Sequence, residues 1–180
     1  MLFRSSKLYV DGLLLVDDDG LHPMVEKCSV RTLLPGPHIV YLEGFQAGGG
    51  VGMELTYTGP DTGGSKVFMK SGVRSSTTPS QYYSKCTPSA DGVQSKFNMC
   101  IFRSEVGLST IPSIGQADTG INRLYYVGKG RLRVVDFDNL DQIRRSVPNT
   151  PDSQYAWAIY GQLMIGEAGS YNLCITSDDG

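Results

Sequence analysis

Two stretches at opposite ends of the chain decide the fold: SYNLCITSDDG at Ser170–Gly180 and SSKLYVDGLLLVDDDG at Ser5–Gly20. Apolar and polar residues alternate in the first stretch, as in a strand with one buried face, and two apolar runs flank a DG turn in the second. Placed end to end, the stretches read as strand, SDDG turn, strand, DG turn and strand. The sequence therefore predicts that the strand ending at Ile175 forms a hairpin with the strand starting at Lys7.

The bulk composition indicates one extracellular β-protein. The chain has 180 residues, a net charge of −2 and 40% hydrophobic residues, so it can bury a core but has no basic field to attract nucleic acid. No apolar run approaches the roughly 18 residues that a membrane helix needs. Ten tyrosines, 22 glycines and a charged fraction of only 19% favour an extracellular location over the cytosol.

Period-2 patterning continues along most of the chain. In His38–Phe45, Tyr41 and Phe45 share one face with Ile39 while Val40 and Leu42 share the other, which predicts a strand buried on both sides. Further strands are expected at 53–57, 156–160, 162–165 and 171–176, with a break at Gly161 between the second and the third of them. The fold class is therefore all-β, an antiparallel β-sandwich of jelly-roll-like type.

Two segments depart from this pattern. Residues 138–146 predict the one short helix, with Asp138 as its N-cap, and Pro148 ends it. Residues 61–102 are rich in Ser, Thr, Gly and Pro and predict a connector with one strand near 66–69. Within the connector, Thr78 and Thr87 each precede a proline, which makes them candidates for O-linked glycosylation.

These residues resemble the protective-antigen-type domain, a β-sandwich module named from an anthrax toxin subunit and found in yeast flocculins and adhesins. The similarity rests on the GEAGSYNLCITSDDG run at 166–180, the KLYVDGLLLVDDDGLH run at 7–22 and the LLPGPHIVYLEGF and GGGVGMELTY runs at 33–57. It covers about two thirds of the chain. The family's second half precedes its first half, so we expect a C-terminal half at 1–60, the connector at 61–102 and an N-terminal half at 103–180.

The resemblance implies a candidate metal site. In the flocculin branch of the family, adjacent aspartates hold Ca²⁺, which in turn binds sugar hydroxyls, and Asp178 and Asp179 are the matching positions here. Paired carboxylates suit this hard cation, but the same SDDG residues also serve as simple turn chemistry. The loop that supplies further ligands in flocculins has Gln46 and no carboxylate here. We expect Ca²⁺ to bind weakly, if at all. The acidic run at 17–19 is expected to be a solvated turn.

The four cysteines suit an oxidising compartment and allow three pairings. Proximity in sequence favours Cys86 with Cys100, which leaves Cys28 with Cys174, both in the family's central strands. Buried free thiols are the alternative. The two histidines, His22 and His38, fall on structural positions of the family, and no nucleophile elbow, zinc motif or phosphate-binding loop is present. We therefore do not expect an enzyme.

Two functions follow from the strand pattern and the resemblance. The first is a non-catalytic extracellular structural module in which the C-terminal half of one copy completes the N-terminal half of the next, head to tail, and builds a filament. In that arrangement Cys174 bonds to Cys28 of the neighbouring copy. The alternative closure lies within one chain, as in a circular permutant. The second function is a calcium-dependent carbohydrate-binding module of an adhesin.

Overall fold

The fold is described from a computed structural model, which covers residues 4–19, 24–72, 86 and 96–178. Among these residues are two antiparallel sheets, one short α-helix and single 3-10 turns that include Pro60–Thr62 and Ile114–Gln116. The strands are β1 (Arg4–Val10), β2 (Leu13–Asp19), β3 (Val25–Leu33), β4 (Gly36–Gln46), β5 (Gly52–Thr58), β6 (Val67–Phe68), β7 (Phe97–Ser104), β8 (Leu124–Leu132), β9 (Asp136–Phe137), β10 (Tyr155–Ile165) and β11 (Gly169–Asp178), and the helix is α1 (Leu140–Ser146). The predicted all-β sandwich is confirmed.

Sheet A has the strand order β2-β1-β4-β10-β7-β8, and sheet B has the order β3-β11-β5-β6, with β9 also paired to β5. Strands from the two ends of the chain therefore alternate in both sheets: β10 lies beside β4, and β11 lies between β3 and β5. The N-terminal and C-terminal parts of the chain complete one sandwich within a single molecule.

The core between the sheets is built from the alternating residues of both. Val40 and Leu42 of β4 face Leu55, Leu173 and their neighbours across the sandwich, and all four are fully buried. The other side of β4 carries Tyr41 and Phe45 into a second apolar cluster on the outer face of sheet A. The prediction that this strand is buried on both sides is confirmed. A strand in this position needs apolar residues at consecutive positions, which is why its sequence does not simply alternate.

The hairpin predicted between the ends of the chain is wrong. β11 and β1 lie in opposite sheets, and neither is the other's ladder partner. Their inward residues, such as Ile175 and Leu8, meet face to face in the core instead of side by side along one sheet. The two strands do come together at one end, where the hydroxyl oxygens of Ser6 and Ser177 lie 3.4 Å apart. The first and the last strand of the described chain therefore lie in different sheets.

The predicted break at Gly161 is also wrong, because β10 runs without interruption from Tyr155 to Ile165. Gly161 is a packing residue: a Cβ atom there would lie 2.3 Å from the Phe97 ring and 2.9 Å from the Ser71 hydroxyl. The glycine lets the strand pass beneath a buried aromatic ring, and its backbone makes no turn.

The helix lies where it was predicted, but Asn139 replaces Asp138 as its N-cap. The Asn139 side chain accepts a 3.1 Å hydrogen bond from the Gln142 amide. The Gln142 side chain in turn accepts from the Asp138 amide at 2.6 Å, so the first turn is held from both sides.

The described part of the expected connector is more ordered than its composition indicated. β6 covers part of the predicted strand, Met69 is fully buried in the core and Lys70 forms a bridge with Val134. β7 begins at Phe97 and lies between β10 and β8, so it crosses the expected boundary at residue 102. Thr78 and Thr87 lie outside the described residues.

Across the described ranges, no helix has the length and apolar character to cross a membrane.

Candidate functional site

One of the two predicted calcium ligands, Asp178, is the last residue that the structure describes. Asp178 is the last residue of β11 and its backbone pairs with Gly52, while its side chain and Asp179 lie outside the described residues. Nearby, the buried Gln46 amide donates to the carbonyl of Gly48 at 2.6 Å and reaches that of Gly50 at 3.3 Å. Gln46 therefore organises the glycine loop from within, and the calcium site itself stays a prediction.

The acidic run at 17–19 was expected to be a solvated turn, and that expectation is wrong. These residues form the end of β2, and the alternation of the strand turns Asp18 fully inward. One Asp18 oxygen lies 2.8 Å from Lys27 Nζ, and the other accepts from the Ser177 hydroxyl at 2.8 Å. A buried carboxylate needs such partners, so this group ties the β2, β3 and β11 strands together.

Both disulfides predicted from the sequence are confirmed. Cys28 and Cys174 lie directly opposite each other on β3 and β11, with their Cα atoms 4.1 Å apart, and Cys86 bonds to Cys100 of β7. The first bond closes within one chain. Glu26 lies close enough to Cys28 and Cys174 to form a metal-like cluster, but the sulfurs are bonded to each other, so neither is a thiolate ligand.

The His38 ring bridges the β1–β2 turn and the loop before β4. Its Nδ1 lies 2.7 Å from an Asp11 carboxylate oxygen and its Nε2 lies 2.8 Å from the Leu34 carbonyl oxygen. The other Asp11 oxygen accepts from the Ile39 amide at 2.9 Å. His38 thus fixes the β1–β2 turn to the start of β4. His22 lies outside the described residues.

A cleft with several polar side chains in its wall lies on the outer face of sheet A. It has a volume of about 410 Å³, which is within the range of small-molecule sites. We call it the tyrosine cleft. Its lining residues are Lys7, Tyr9 and Gly12 from β1 and its turn, Tyr41 and Glu43 from β4, and the segment 111–115.

Strand register brings the polar wall of this cleft together. Lys7 and Tyr9 are two residues apart on β1, so they share a face, and the same holds for Tyr41 and Glu43 on β4. In the β1–β4 ladder Lys7 lies opposite Glu43 and Tyr9 lies opposite Tyr41. Side chains directly opposite each other on antiparallel strands are in contact range, so the four form one compact group.

Glu43 is the centre of this group. One of its carboxylate oxygens accepts the Tyr9 hydroxyl at 2.9 Å and the other accepts the Tyr41 hydroxyl at 3.0 Å. The two rings lie 5.8 Å apart between centroids and are tilted by 48°. Hydrogen bonds to an ionised carboxylate are stronger than those between neutral groups, so the two phenols hold Glu43 in one orientation.

Lys7 borders the same cleft but is paired elsewhere. Its ammonium lies 3.4 Å from an Asp17 oxygen and 3.6 Å from an Asp19 oxygen on β2. Asp17 is also its ladder partner in the β1–β2 pair. Two carboxylates on the neighbouring strand therefore balance the charge of Lys7.

The facing wall is a short segment anchored in the second apolar cluster. Ile114 is buried there and begins a 3-10 helix, and Ile111 packs against the same cluster. The Ser113 carbonyl accepts from the Asn122 side chain at 2.8 Å. Buried apolar side chains and this hydrogen bond thus anchor the wall to the rest of the sandwich.

A second cleft of similar volume lies at the edge of sheet B and is lined by Tyr57, Asp61, Thr62, 67–68, 70–72 and 163–164. The carboxylate among its described lining residues is committed to local structure, because Asp61 accepts from the Gly166 amide at 3.1 Å. Burial raises the pKa of Tyr57, and the Asp61 carboxylate and Tyr171 raise it further. This cleft offers less convergent polar chemistry than the tyrosine cleft.

Sequence reasoning missed the tyrosine cleft. The strand pattern assigns Tyr41 only to a buried face and does not single out Glu43. The signal that could have found it is the matched spacing of Lys7 with Tyr9 and of Tyr41 with Glu43, but it has meaning only once β1 and β4 are known to pair. That register joins residues 34 positions apart in the chain.

No family model, curated protein or solved structure matches this chain. The resemblance to the protective-antigen-type domain therefore stays a prediction based on the residues themselves.

Proposed function

We propose that this chain is a non-catalytic extracellular module that binds a saccharide in the tyrosine cleft. The observation that carries the proposal is the Glu43 carboxylate held by the Tyr9 and Tyr41 hydroxyls in a cleft of about 410 Å³. Sugar hydroxyls donate hydrogen bonds to an oriented carboxylate, and aromatic side chains supply apolar surface for the C–H groups of a sugar ring.

The non-catalytic part of the proposal rests on the acid content of the cleft. Glycoside hydrolysis generally needs two carboxyl groups on either side of the scissile bond. Among the described residues that line the cleft, Glu43 is the single carboxylate. Asp17 and Asp19 lie nearby but are engaged with Lys7. Recognition is therefore better supported than hydrolysis.

The extracellular part rests on the disulfides. All four cysteines are oxidised, in one bond that joins two strands of sheet B and one that reaches β7 of sheet A. Such bonds persist in oxidising compartments and are reduced in the cytosol.

The alternative function is assembly into a head-to-tail filament. In such a polymer, β10 and β11 of one copy would pack on the N-terminal strands of the next copy, through the same contacts that they make within the closed chain. Two features favour a separate monomer. Closure within one chain already satisfies the strands that motivated the filament. In addition, Lys27 and Arg31 on edge strand β3 lie opposite the inward residues Ile175 and Tyr171. Inward charges on an edge strand oppose a different mode of assembly, in which the edge of sheet B pairs with another copy. Arg31 donates to the Val10 carbonyl at 2.8 Å.

The binding proposal is tested by titrating the oxidised chain with neutral monosaccharides and disaccharides while recording amide chemical shifts. We expect shifts on β1, β4 and the segment 111–115. Glu43→Gln is expected to weaken binding by about tenfold, since it replaces charge-assisted bonds by neutral ones. Glu54→Gln on the outer face of sheet B is the matched control and should bind as the wild type does. Shifts confined to sheet B, or no saturable shifts at all, would refute the proposal.

Two further measurements decide the alternatives. The first repeats the saccharide titration in the presence of a chelator, which distinguishes the tyrosine cleft from the predicted calcium site at Asp178 and Asp179. Binding in the tyrosine cleft should be unchanged by the chelator, whereas a sugar held by calcium should be released. Sedimentation and non-reducing mass analysis should show a monomer. Disulfide-linked multiples that dissociate on reduction would support the filament instead.

A further inference from the structure

We propose that the tyrosine cleft is selective for a saccharide that carries a protonated amine, an amino sugar, over the neutral N-acyl form of the same sugar. This inference rests on the proposed function, because it names the class of saccharide that the same cleft prefers.

The charge of the cleft favours a cationic ligand. Lys7 lies next to Glu43 but its ion pairs are with Asp17 and Asp19. Within the described chain, the hydrogen-bond partners of the Glu43 carboxylate are the two neutral phenols of Tyr9 and Tyr41, and no ion pair joins it to a cation. A cationic ligand would supply the counter-charge that Glu43 lacks.

The direction of the hydrogen bonds favours a ligand that donates. Both phenols act as donors toward Glu43, so their O–H hydrogens are used within the group. The centre of the polar wall is then an oriented acceptor. An ammonium group has three donors and no acceptor, which matches this wall, and its bonds to a carboxylate are about twice as strong as neutral ones.

The aromatic rings add a further attraction for a cation. The face of a tyrosine ring carries negative charge density and attracts cations within about 6 Å of its centroid. The centroids of the Tyr9 and Tyr41 rings lie 5.8 Å apart, so a cation placed between the two rings would lie within this distance of both. N-acylation of the amine removes the positive charge, leaves one N–H donor and adds a carbonyl acceptor next to the Glu43 carboxylate. The ion pair, the hydrogen bonds and the attraction to the aromatic rings are therefore all weakened or lost in the N-acyl sugar.

The test compares glucosamine with N-acetylglucosamine by calorimetry on the full oxidised chain, at mildly acidic pH and constant ionic strength. We expect the wild type to bind glucosamine about tenfold more tightly. Glu43→Gln should bring the ratio of the two Kd values close to one. Lys7→Gln removes a neighbouring positive charge and should widen the ratio, by about threefold. Glu54→Gln should leave the ratio unchanged.

Opposite effects of Glu43→Gln and Lys7→Gln cannot both arise from unfolding, so the pair keeps the test independent of stability. Equal affinity for the two sugars, a preference for N-acetylglucosamine, or an amine preference that survives Glu43→Gln would overturn the amino-sugar inference and leave saccharide binding in place. A narrower ratio in Lys7→Gln would also overturn it, because Lys7 would then hold the ligand. Failure of every saccharide to bind would overturn both proposals.

Discussion

The outer faces of the two sheets differ sharply although their inner faces build one common core. The outer face of sheet A carries buried aromatic and small residues, among them Phe45, Phe102 and Ala158, which pack beneath the segment after β7. The outer face of sheet B carries the half-buried Glu54, Asn172 and Thr176 and has no comparable cover among the described residues. Sheet A is therefore covered on both faces, whereas sheet B is covered on its inner face alone among the described residues.

This difference explains where the cleft lies. Where the cover on sheet A is complete, the outer residues are apolar and small. Where the cover ends, at the β1 side, the same face carries Tyr9, Lys7 and Glu43. A ligand site at the margin of a packed layer gains rigid walls from that layer and access from solvent. Among the described residues, no packed segment ends over the centre of the outer face of sheet B, so no cleft of this kind forms there.

The largest predicted loss of stability comes from truncating a buried side chain in the apolar cluster on the outer face of sheet A. Phe102 is fully buried in the outer cluster and makes an edge contact with Tyr126 at 5.9 Å between centroids. Phe102→Ala should lower the free energy of unfolding by about 3–5 kcal/mol, because it removes a large side chain and leaves a cavity. Thr176→Ala, on the outer face of sheet B, should change it by less than about 0.5 kcal/mol. Denaturant titration measures both, and similar values would show that the outer faces do not differ in packing.

Each outer face also carries one disulfide, which sharpens the comparison. The Cys28–Cys174 bond closes a sequence separation of 146 residues on sheet B, and the Cys86–Cys100 bond closes 14 on the side of sheet A. Replacing either pair by serine should cost about 2–4 kcal/mol. The larger loss is expected for Cys28 and Cys174, because the longer loop leaves more entropy in the unfolded chain. Unfolding free energies of the two double variants, measured under the same conditions, check the order; the reverse order would show that packing around Cys100 outweighs loop length.

Much of the fold could be predicted from local patterns. Alternation identified β5 and β11 with their correct faces, because burial sets one face of each strand. Apolar residues at consecutive positions identified β4 as a strand buried on both sides. The cysteine pairing was also predicted correctly, since Cys86 and Cys100 are close in sequence and leave Cys28 with Cys174. The strand faces follow from alternation over a few neighbouring residues, and the disulfide pairing follows from the number and spacing of the four cysteines.

The remaining features depend on contacts between distant residues. Asp18 looks like part of a solvated acidic turn, yet it is buried because Ser177, 159 residues away, completes its partners. Gly161 looks like a turn residue, yet the ring of Phe97 above it requires the missing side chain. The Glu43 group depends on the β1–β4 register in the same way. In each case the residue that decides the role is distant in the sequence. The local pattern therefore predicts the role that is more common for that residue type, such as a solvated turn for an aspartate run or a turn for a glycine.

The smallest predicted effect compares two tyrosines, one from each sheet, at alkaline pH. Desolvation raises the pKa of Tyr171 in the core, and the Asp61 carboxylate raises it further; burial followed by Asp118 raises the pKa of Tyr126 on the outer side of sheet A. A tyrosine with a raised pKa in the folded state keeps its proton where the unfolded chain loses it. Its contribution to stability is therefore complete below about pH 10 and is lost as the pH rises through the folded-state pKa.

Tyr171→Phe should lower the free energy of unfolding at neutral pH by about 1 kcal/mol, because the hydroxyl donates a 2.7 Å hydrogen bond to the Glu167 carbonyl. The same variant should lose less stability than the wild type between neutral pH and pH values above about 10, since it has no proton to release there. Tyr126→Phe should flatten the alkaline loss in the same direction, because burial and the Asp118 carboxylate raise the pKa of Tyr126 as well. Denaturant titrations across this range measure the slopes, and a Tyr171→Phe slope equal to that of the wild type would show that other groups govern the alkaline transition.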